Sequence, residues 1–503
     1  MVVTRFLLYS FCMKRFLASL FSGLFLVSMI FAVGSPEDQQ VLFEQLPVVI
    51  KGQENQEPAA VSESSGTLTG NAAIERDMAS LTRLYRYLEK NYLWDIDYNK
   101  AYEAMAQALF DSLGDKYTYY VTAERSPDYE EDTLGRYGGL GFYFTKTYLE
   151  YQNPEDISTV FCNIIQVFPN SPAARSGLLA GDYITHINGE DVQGLTSEEC
   201  SARIKGETGT DVTITILRSG ISFDLTITRE QINIPSVVGE MLEDGIAYVQ
   251  IIQFYSMTAG AFAQEVSNFS NRGMTALIMD LRNCSGGDVD AALAIADMFI
   301  SNSNLLTIKY KDQSRDKTYK AKAGVSVSAR IPVVILVNGN TASSSEILAS
   351  TMKDNGRATL IGTKTYGKGI MQSVSSFGEG NLSVTVASLI PPSGNPFHET
   401  GIMPDIEVPL PSIQEDEIQA YSNLVAAKTI PAFVEEHPEY TRENVLLFLK
   451  TYPDTGISDE ALCLLVRNSY YSSMLYDDQP KADVWFDPQV RAAMEYIRAG
   501  RTN

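Results

Sequence analysis

Residues 333–372 read VVILVNGNTASSSEILASTMKDNGRATLIGTKTYGKGIMQ. A β-branched apolar run at 333–337 ends in the turn pair Asn338-Gly339. A cluster of small hydroxyl residues then opens a helix that closes at Asn355-Gly356, and a second apolar strand follows at 359–362. Ser343 falls at the helix mouth, where unpaired backbone N–H groups and the positive end of the helix dipole favour negative charge. Ser343-Ser344-Ser345-Glu346 also fits the capping box S-x-x-E, so the serine has a purely structural reading as well. Further on, Lys368 stands between Gly367 and Gly369, residues that let backbone come close. Gln372 follows it by four positions, an offset that keeps two side chains on one side of a strand or a helix, so that an amide could steer the amine.

This stretch resembles the serine/lysine active site of the C-terminal processing, or tail-specific, peptidases. Their pattern is an S/T-A-S-x-S-E motif and, twenty-five residues after its central serine, the lysine of T-F/Y-G-K-G, a spacing that Ser343 and Lys368 keep. The resemblance implies that Ser343 is the nucleophile, Lys368 the general base and Gln372 the residue that orients the lysine. Ser344 stands where the family usually has alanine, and the family uses that position's backbone N–H. Lys364 is the competing lysine and reads as solvated.

Around this motif, residues 233–410 form the core. A strand is expected at 246–254 and a helix on the stripe Ala259, Phe262, Ala263, Val266 and Phe269. A buried strand at 276–282 feeds Asn283-Cys284-Ser285-Gly286-Gly287 and a helix at 288–300. That segment resembles the family's L-I-x-D-L-R-N-N-P-G-G, departing at Cys284 and Ser285. By the resemblance, one N–H from Gly286 or Gly287 joins that of Ser344 in an oxyanion hole; a Gly-Gly pair after a strand equally reads as a turn. Alternating strands and helices indicate βαβ units and a parallel sheet. The resemblance refines the fold class to α/β multidomain, with a crotonase/Clp-like spiral ββα core, an inserted PDZ domain and helical N- and C-terminal segments. A further strand is expected at 382–389, and Pro391-Pro392-Ser393-Gly394 with Gly401-Ile402-Met403-Pro404-Asp405-Ile406 resembles the family's closing motif.

Residues 132–232 change to short strands with turn residues. Gly139-Leu140-Gly141-Phe142 matches the G-L-G-F loop of PDZ modules, in which successive N–H groups hold a peptide's terminal carboxylate while the next strand pairs with the peptide. As an isolated tetrapeptide it reads as a tight turn. Here it is followed by Ser171-Pro172-Ala173-Ala174, by Gly181-Asp182, by Ile187-Asn188-Gly189 and by the capping box Thr196-Ser197-Glu198-Glu199 in PDZ order. Before it, residues 75–131 carry two apolar stripes, Met78, Leu81, Leu84, Tyr85 and Leu88, then Tyr102, Met105, Leu109 and Leu113, expected to pack on each other or on the core. Asp115-Lys116-Tyr117-Thr118-Tyr119-Tyr120 resembles a family segment with its proline replaced by Lys116. Residues 411–503 read as helical at 415–428, 441–452 and 459–468, with a last helix capped by Asp487, opened by Pro488 and followed by Gly500.

Residues 1–34 read as an export signal: Lys14 and Arg15 precede an apolar run, and Ala32-Val33-Gly34 offers a small-residue cleavage site. An uncleaved anchor is the alternative, since the run approaches the length of a membrane span. The expected location is therefore periplasmic or otherwise extracytoplasmic. Residues 35–74 read as a disordered linker.

With 39 Lys and Arg against 62 Asp and Glu, the net charge is −23. That argues against a nucleic-acid partner, which needs clustered cations. None of the three histidines lies in a zinc or hydrolase motif, and His398 alone sits where a triad could use it. Cys162 and Cys200 fall in one module and pair only if geometry and redox conditions allow. No metal or organic cofactor is called for. The resemblance implies protein or peptide substrates with apolar C-termini, and leaves open a homodimer through the helical segments and an activating adaptor. The rival readings are a catalytically silent PDZ scaffold and a crotonase-like acyl-CoA enzyme.

Overall fold

A computed structural model of the protein describes residues 70–122, 135–154, 156–378 and 380–501. The expected signal and residues 35–69 of the expected linker lie outside the described residues. The chain divides into two units at Ala101/Tyr102.

The run at 333–337 is a strand, Val333–Val337, inside a six-stranded sheet. Its order is Val237–Met241, Ile246–Ile251, Ala276–Asp280, Val333–Val337, Thr359–Gly362 and Ile406–Glu407. The first pair is antiparallel and all later neighbours are parallel. Side chains alternate between the two faces of a strand, yet these strands are apolar at nearly every position because both faces are covered. Val249, Leu277, Met279 and Ile335 pack with the helices Thr258–Asn271, Val289–Asp297 and Ser344–Asp354. Ile246, Tyr248, Ile278, Val334 and Leu336 face the other way, against Val490, Ala493, Met494 and Ile497 of the C-terminal helix Pro488–Arg501. A second, antiparallel sheet joins Tyr119–Val121, Gly380–Ile390, Asn304–Tyr310 and Lys317–Lys320, with Ile370–Phe377 also on Gly380–Ile390.

The inserted module is a sheet of Phe142–Thr145, Cys162–Val167, Tyr183–Ile187, Asp211–Arg218 and Ile221–Thr228, with Phe142–Thr145 at its edge. Its helix Ser197–Ile204 starts on a complete capping box, Glu199 N–H donating to Thr196 and Thr196 N–H to Glu199. Cys162 and Cys200 are both free and fully buried in its core; the hydrogen bond between the two holds the proton on Cys162 and raises its pKa. The module leaves the core through the ribbon of Arg136–Gly139 paired with Glu230–Asn233. At the foot of that ribbon Gly135 lies so close to the Tyr255 ring that a Cβ would sit 2.3 Å from it.

Three expectations need correction. The N-terminal helices Gly70–Asn91 and Tyr98–Asp111 pack only in part: Tyr85 stacks on Tyr98 and Tyr102 meets Tyr120 edge-on, but no residue of either helix is buried and Leu81, Leu84, Leu88 and Leu109 are exposed. Helical spacing defines a stripe but not what covers it. The helix expected over 415–428 is a 3-10 turn Glu415–Glu417 and an α-helix Ile418–Ala426; Lys428, at φ +51°, separates it from a further helix Thr429–Glu436, which takes Pro431 in its first turn where no N–H is needed. The last helix continues through Gly500 to Arg501.

Candidate active site

Ser343 links the strand Val333–Val337 to the helix Ser344–Asp354 with φ 55° and ψ −117°. Non-glycine residues hold such angles only where their surroundings over-determine them. Here the turn that follows Ala276–Asp280 supplies the restraint. Thr341 Oγ1 donates to the Leu281 carbonyl at 2.8 Å and Ala342 N–H to that of Cys284 at 3.0 Å. Ser345 Oγ also donates to Cys284 O at 3.0 Å, and Ser344 Oγ to Gly287 O at 2.7 Å. Gly286 fits the gap between the turns: a Cβ there would lie 2.7 Å from Ser344 N and 2.8 Å from Ser343 Cβ.

The capping box separates the serine's two roles. Its return half is made, Ser343 N–H donating to Glu346 Oε2 at 3.0 Å. The serine hydroxyl oxygen completes the box as acceptor toward Glu346 N–H, at a geometry looser than that of a full capping hydrogen bond. The structural reading thus accounts for the backbone of Ser343 and for Oγ as an acceptor, and leaves the hydroxyl proton without an acceptor among the described residues.

Glu346 does more than cap. Fully buried, its Oε2 also accepts from Lys368 N–H at 2.7 Å, while Oε1 accepts from Gly367 N–H at 2.8 Å and from the Thr365 hydroxyl. Burial pushes this carboxyl above the usual range, against the hydrogen bonds of Thr365, Lys368, Gly367 and Ser343 that favour the anion. One oxygen therefore ties the backbone of the serine to the backbone of the lysine. In the sequence Glu346 reads only as a helix cap; its pairing with the Gly367-Lys368 turn has no local signal.

Lys368 is half-buried, with Nζ 4.9 Å from the centre of the Tyr117 ring. Loss of solvent lowers its pKa below the ordinary lysine value; Tyr366 and Asp115 work against that shift and Lys116 adds to it. Lys364 is exposed. No hydrogen bond joins Lys368 Nζ to Ser343 Oγ among the described residues.

Gln372 does not meet Lys368 by hydrogen bond; its Nε2 donates to Thr385 Oγ1 at 3.2 Å. Lys368 lies in the turn ahead of the strand Ile370–Phe377, and the ladder slips between Met371 and Gln372, so the four-residue offset no longer selects a common side. His398 backs Gly369 with its ring 6.5 Å from that of Tyr117, and no hydrogen bond joins it to Ser343 among the described residues.

The glycines of the oxyanion candidate differ. Gly286 N–H is turned to the Cys284 thiol, which burial raises to about 11. Gly287, at φ 129°, is held by the bridge to Phe254, whose N–H donates to Gly286 O and whose carbonyl accepts from Asp288 N–H. The N–H groups of Gly287 and Ser344 have no protein acceptor among the described residues.

In the inserted module, Leu140 and Phe142 point into its core, so the loop presents backbone rather than side chains. Its carbonyls are taken: Ala173 N–H donates to Leu140 O and Phe168 N–H to Gly141 O, both at 2.9 Å. Gly141 has φ 83° and sits against Ser171, which leaves no room for a side chain. The edge strand Phe142–Thr145 follows directly.

Residues 245–408 match the model of peptidase family S41, and residues 164–218 that of the PDZ domain. The chain is 31% identical to the carboxy-terminal-processing protease of Bartonella bacilliformis, over 67% of this chain and 76% of that one. It is 29% identical to the carboxy-terminal processing protease CtpA of Bacillus subtilis, over 68% and 73%. Among solved structures it is similar to the photosystem II D1 C-terminal processing protease, with 26% identity, a TM-score of 0.38 and coverage of 68% and 92%.

Proposed function

The chain belongs to the carboxy-terminal-processing proteases of peptidase family S41 and is a serine peptidase; from that premise we propose that it is an exported endopeptidase working through a Ser343/Lys368 dyad on protein tails held by its PDZ domain. The observation that carries the proposal is Glu346 Oε2, which accepts from the backbone N–H of both residues and so holds the turn of a desolvated amine against the turn of the serine.

In acylation Ser343 Oγ attacks the peptide carbonyl carbon and its proton passes to neutral Lys368 Nζ. The tetrahedral oxyanion is met by the N–H groups of Ser344 and Gly287, with the positive end of the helix Ser344–Asp354 behind it. Collapse expels the amine, which takes the proton from Lys368, and leaves an ester on Ser343. Water then attacks the ester while Lys368 again serves as base, releasing the new C-terminal carboxylate. Transfer requires Nζ to come to about 3 Å from Oγ, a closing that catalytic pairs commonly make only in the substrate complex and that the lysine stem allows.

The PDZ loop supplies the substrate's anchor. N–H groups of residues 140–142 take the terminal carboxylate, and the free edge of Phe142–Thr145 adds the tail as a further strand beside the helix Ser197–Ile204. Residues 1–34 direct the chain out of the cytoplasm.

Labelling by a sulfonyl fluoride tests the nucleophile: it should modify Ser343 and be lost in Ser343→Ala. Lys368→Ala should keep binding a C-terminal peptide while losing cleavage. Undiminished cleavage by that variant would show that another group is the base, and peptide binding without any labelling would favour the silent scaffold.

A further inference from the structure

Lys116 replaces a proline in the segment that resembles the family's, and that segment is firmly set. Tyr119–Val121 pairs with Gly380–Ile390, Tyr119 opposite Ser383 and Val121 opposite Asn381. Just ahead, Thr385 N–H donates to Thr118 Oγ1 at 2.9 Å and Ser383 Oγ to the Tyr117 carbonyl at 3.3 Å. Asp115 closes the turn, accepting from Tyr117 N–H at 2.9 Å and from Thr118 Oγ1 at 2.7 Å. From this anchored backbone Lys116 reaches across to the lysine turn. Its Nζ donates to Tyr366 Oη at 2.8 Å and lies 4.9 Å and 5.3 Å from the centres of the Tyr117 and Tyr366 rings. Lys368 Nζ lies 4.9 Å from the centre of the same Tyr117 ring. Two amines share one aromatic ring: Lys116 is exposed and keeps its charge, while Lys368 is half-buried.

We propose that Lys116 is a positioning residue for the general base: it clamps Tyr117 and Tyr366 against the turn and sets a fixed positive charge beside Lys368, favouring the neutral amine that accepts the serine proton. The inference rests on Lys368 being that base.

The groups facing Lys368 divide by sign. Loss of solvent and the Lys116 ammonium favour the neutral amine, while Tyr366 and Asp115 favour the charged one. Asp115, fixed by Tyr117 N–H and Thr118 Oγ1, is a single anion against two cations and offsets only part of their repulsion. Donation from Lys116 lowers the Tyr366 phenol's pKa. The Glu346 carboxylate is committed to backbone N–H groups and the Thr365 hydroxyl. The His398 ring lies 6.5 Å from the Tyr117 ring.

The test is the pH dependence of kcat/KM on a reporter peptide for full-length wild type, Lys116→Met and Lys116→Arg. Met keeps the stem and drops the charge; Arg keeps the charge. In Lys116→Met the acid limb should move upward by about half a pH unit, the size expected of one partly screened charge several ångströms away. Activity below the limb then falls about threefold and converges on wild type at high pH. Lys116→Arg should keep the wild-type limb. A Lys116→Met enzyme slowed by one factor at every pH, or a Lys116→Arg limb displaced as far as that of Met, overturns the proposal by reducing Lys116 to a packing role. Lys368→Ala run alongside separates the two assignments: if that variant still cleaves, the base itself is misassigned.

Discussion

Lys368 sits where a lysine is least comfortable, and its discomfort is measurable. Burial depresses its pKa, so protonation opposes the fold throughout the pH range below the folded-state value. Between the folded value and the ordinary 10.5, the unfolded chain binds more protons than the native one, so stability rises with pH across that window. Lys368→Met should therefore raise Tm at pH 7 while abolishing cleavage, and its advantage should vanish as pH approaches the ordinary lysine value. Thermal melts of both proteins across pH check this; a Met variant no more stable than wild type would mean that the amine is well solvated. Glu346 predicts the opposite trade. Glu346→Gln turns an NH2 group toward donors that now share a carboxylate, so it should cost about 3 kcal/mol of stability and lower kcat far more than KM, read by denaturant melts and peptide kinetics. The serine and the lysine are both legible in the sequence, because spacing and flanking glycines mark them. Glu346 is legible there only as a cap, since its second set of partners lies across the fold. Gln372 shows the converse limit: an offset of four selects a side only while one regular element runs through both positions.

The two turns that make the site belong to neighbouring parallel strands, and a glycine is their joint. Gly286 combines φ 98° with a Cα so close to Ser344 that any Cβ would collide with backbone. Gly286→Ala should therefore push the Ser343-Ser344 turn away, costing about 2 kcal/mol in stability and about a hundredfold or more in kcat, with peptide binding to the PDZ domain unchanged. Retained kcat would show that the turn yields at no cost to the oxyanion site. Element reading from sequence succeeds where both faces of a strand are covered, as at Val333–Val337 and Thr359–Gly362, because a short, continuous apolar run bounded by turns has little choice but to be a buried strand. It fails where periodicity has to name a partner. The stripe on Gly70–Asn91 is real, but apart from Tyr85 its residues stay exposed. Thr429–Glu436 escapes notice because Pro431 looks like a stop and serves as a start.

Across the whole molecule the C-terminal helix is part of the catalytic core's architecture, which no local motif announces. Asp487 Oδ1 caps that helix through Gln489 and Val490 N–H, and its Oδ2 accepts from Arg282 Nη1 at 2.7 Å. Arg282 is also held by Asp280, which in turn accepts from Tyr248 Oη at 2.6 Å, and by Gln489 Oε1 at 2.9 Å. Burial disfavours the guanidinium's charge, and Asp280 and Asp487 more than restore it. Arg282 leads directly into the turn that carries Gly286 and Gly287. Asp487→Ala should consequently cost about 3 kcal/mol, since a buried cation loses one of its two anions, and should also slow acylation. Calorimetry together with burst kinetics reads both effects; loss of stability with an untouched acylation rate would confine the network to a scaffold role. The same helix seals one face of the central sheet over Ile246, Ile278 and Val334. Residues 488–501 follow Ser343 and Lys368 in the chain, so the sheet that carries those two residues is synthesised before the helix that covers its second face. Until that helix is made, the apolar face at Ile246, Ile278 and Val334 has no cover of its own, and a bare sheet face of that kind is what makes an incomplete fold prone to aggregate.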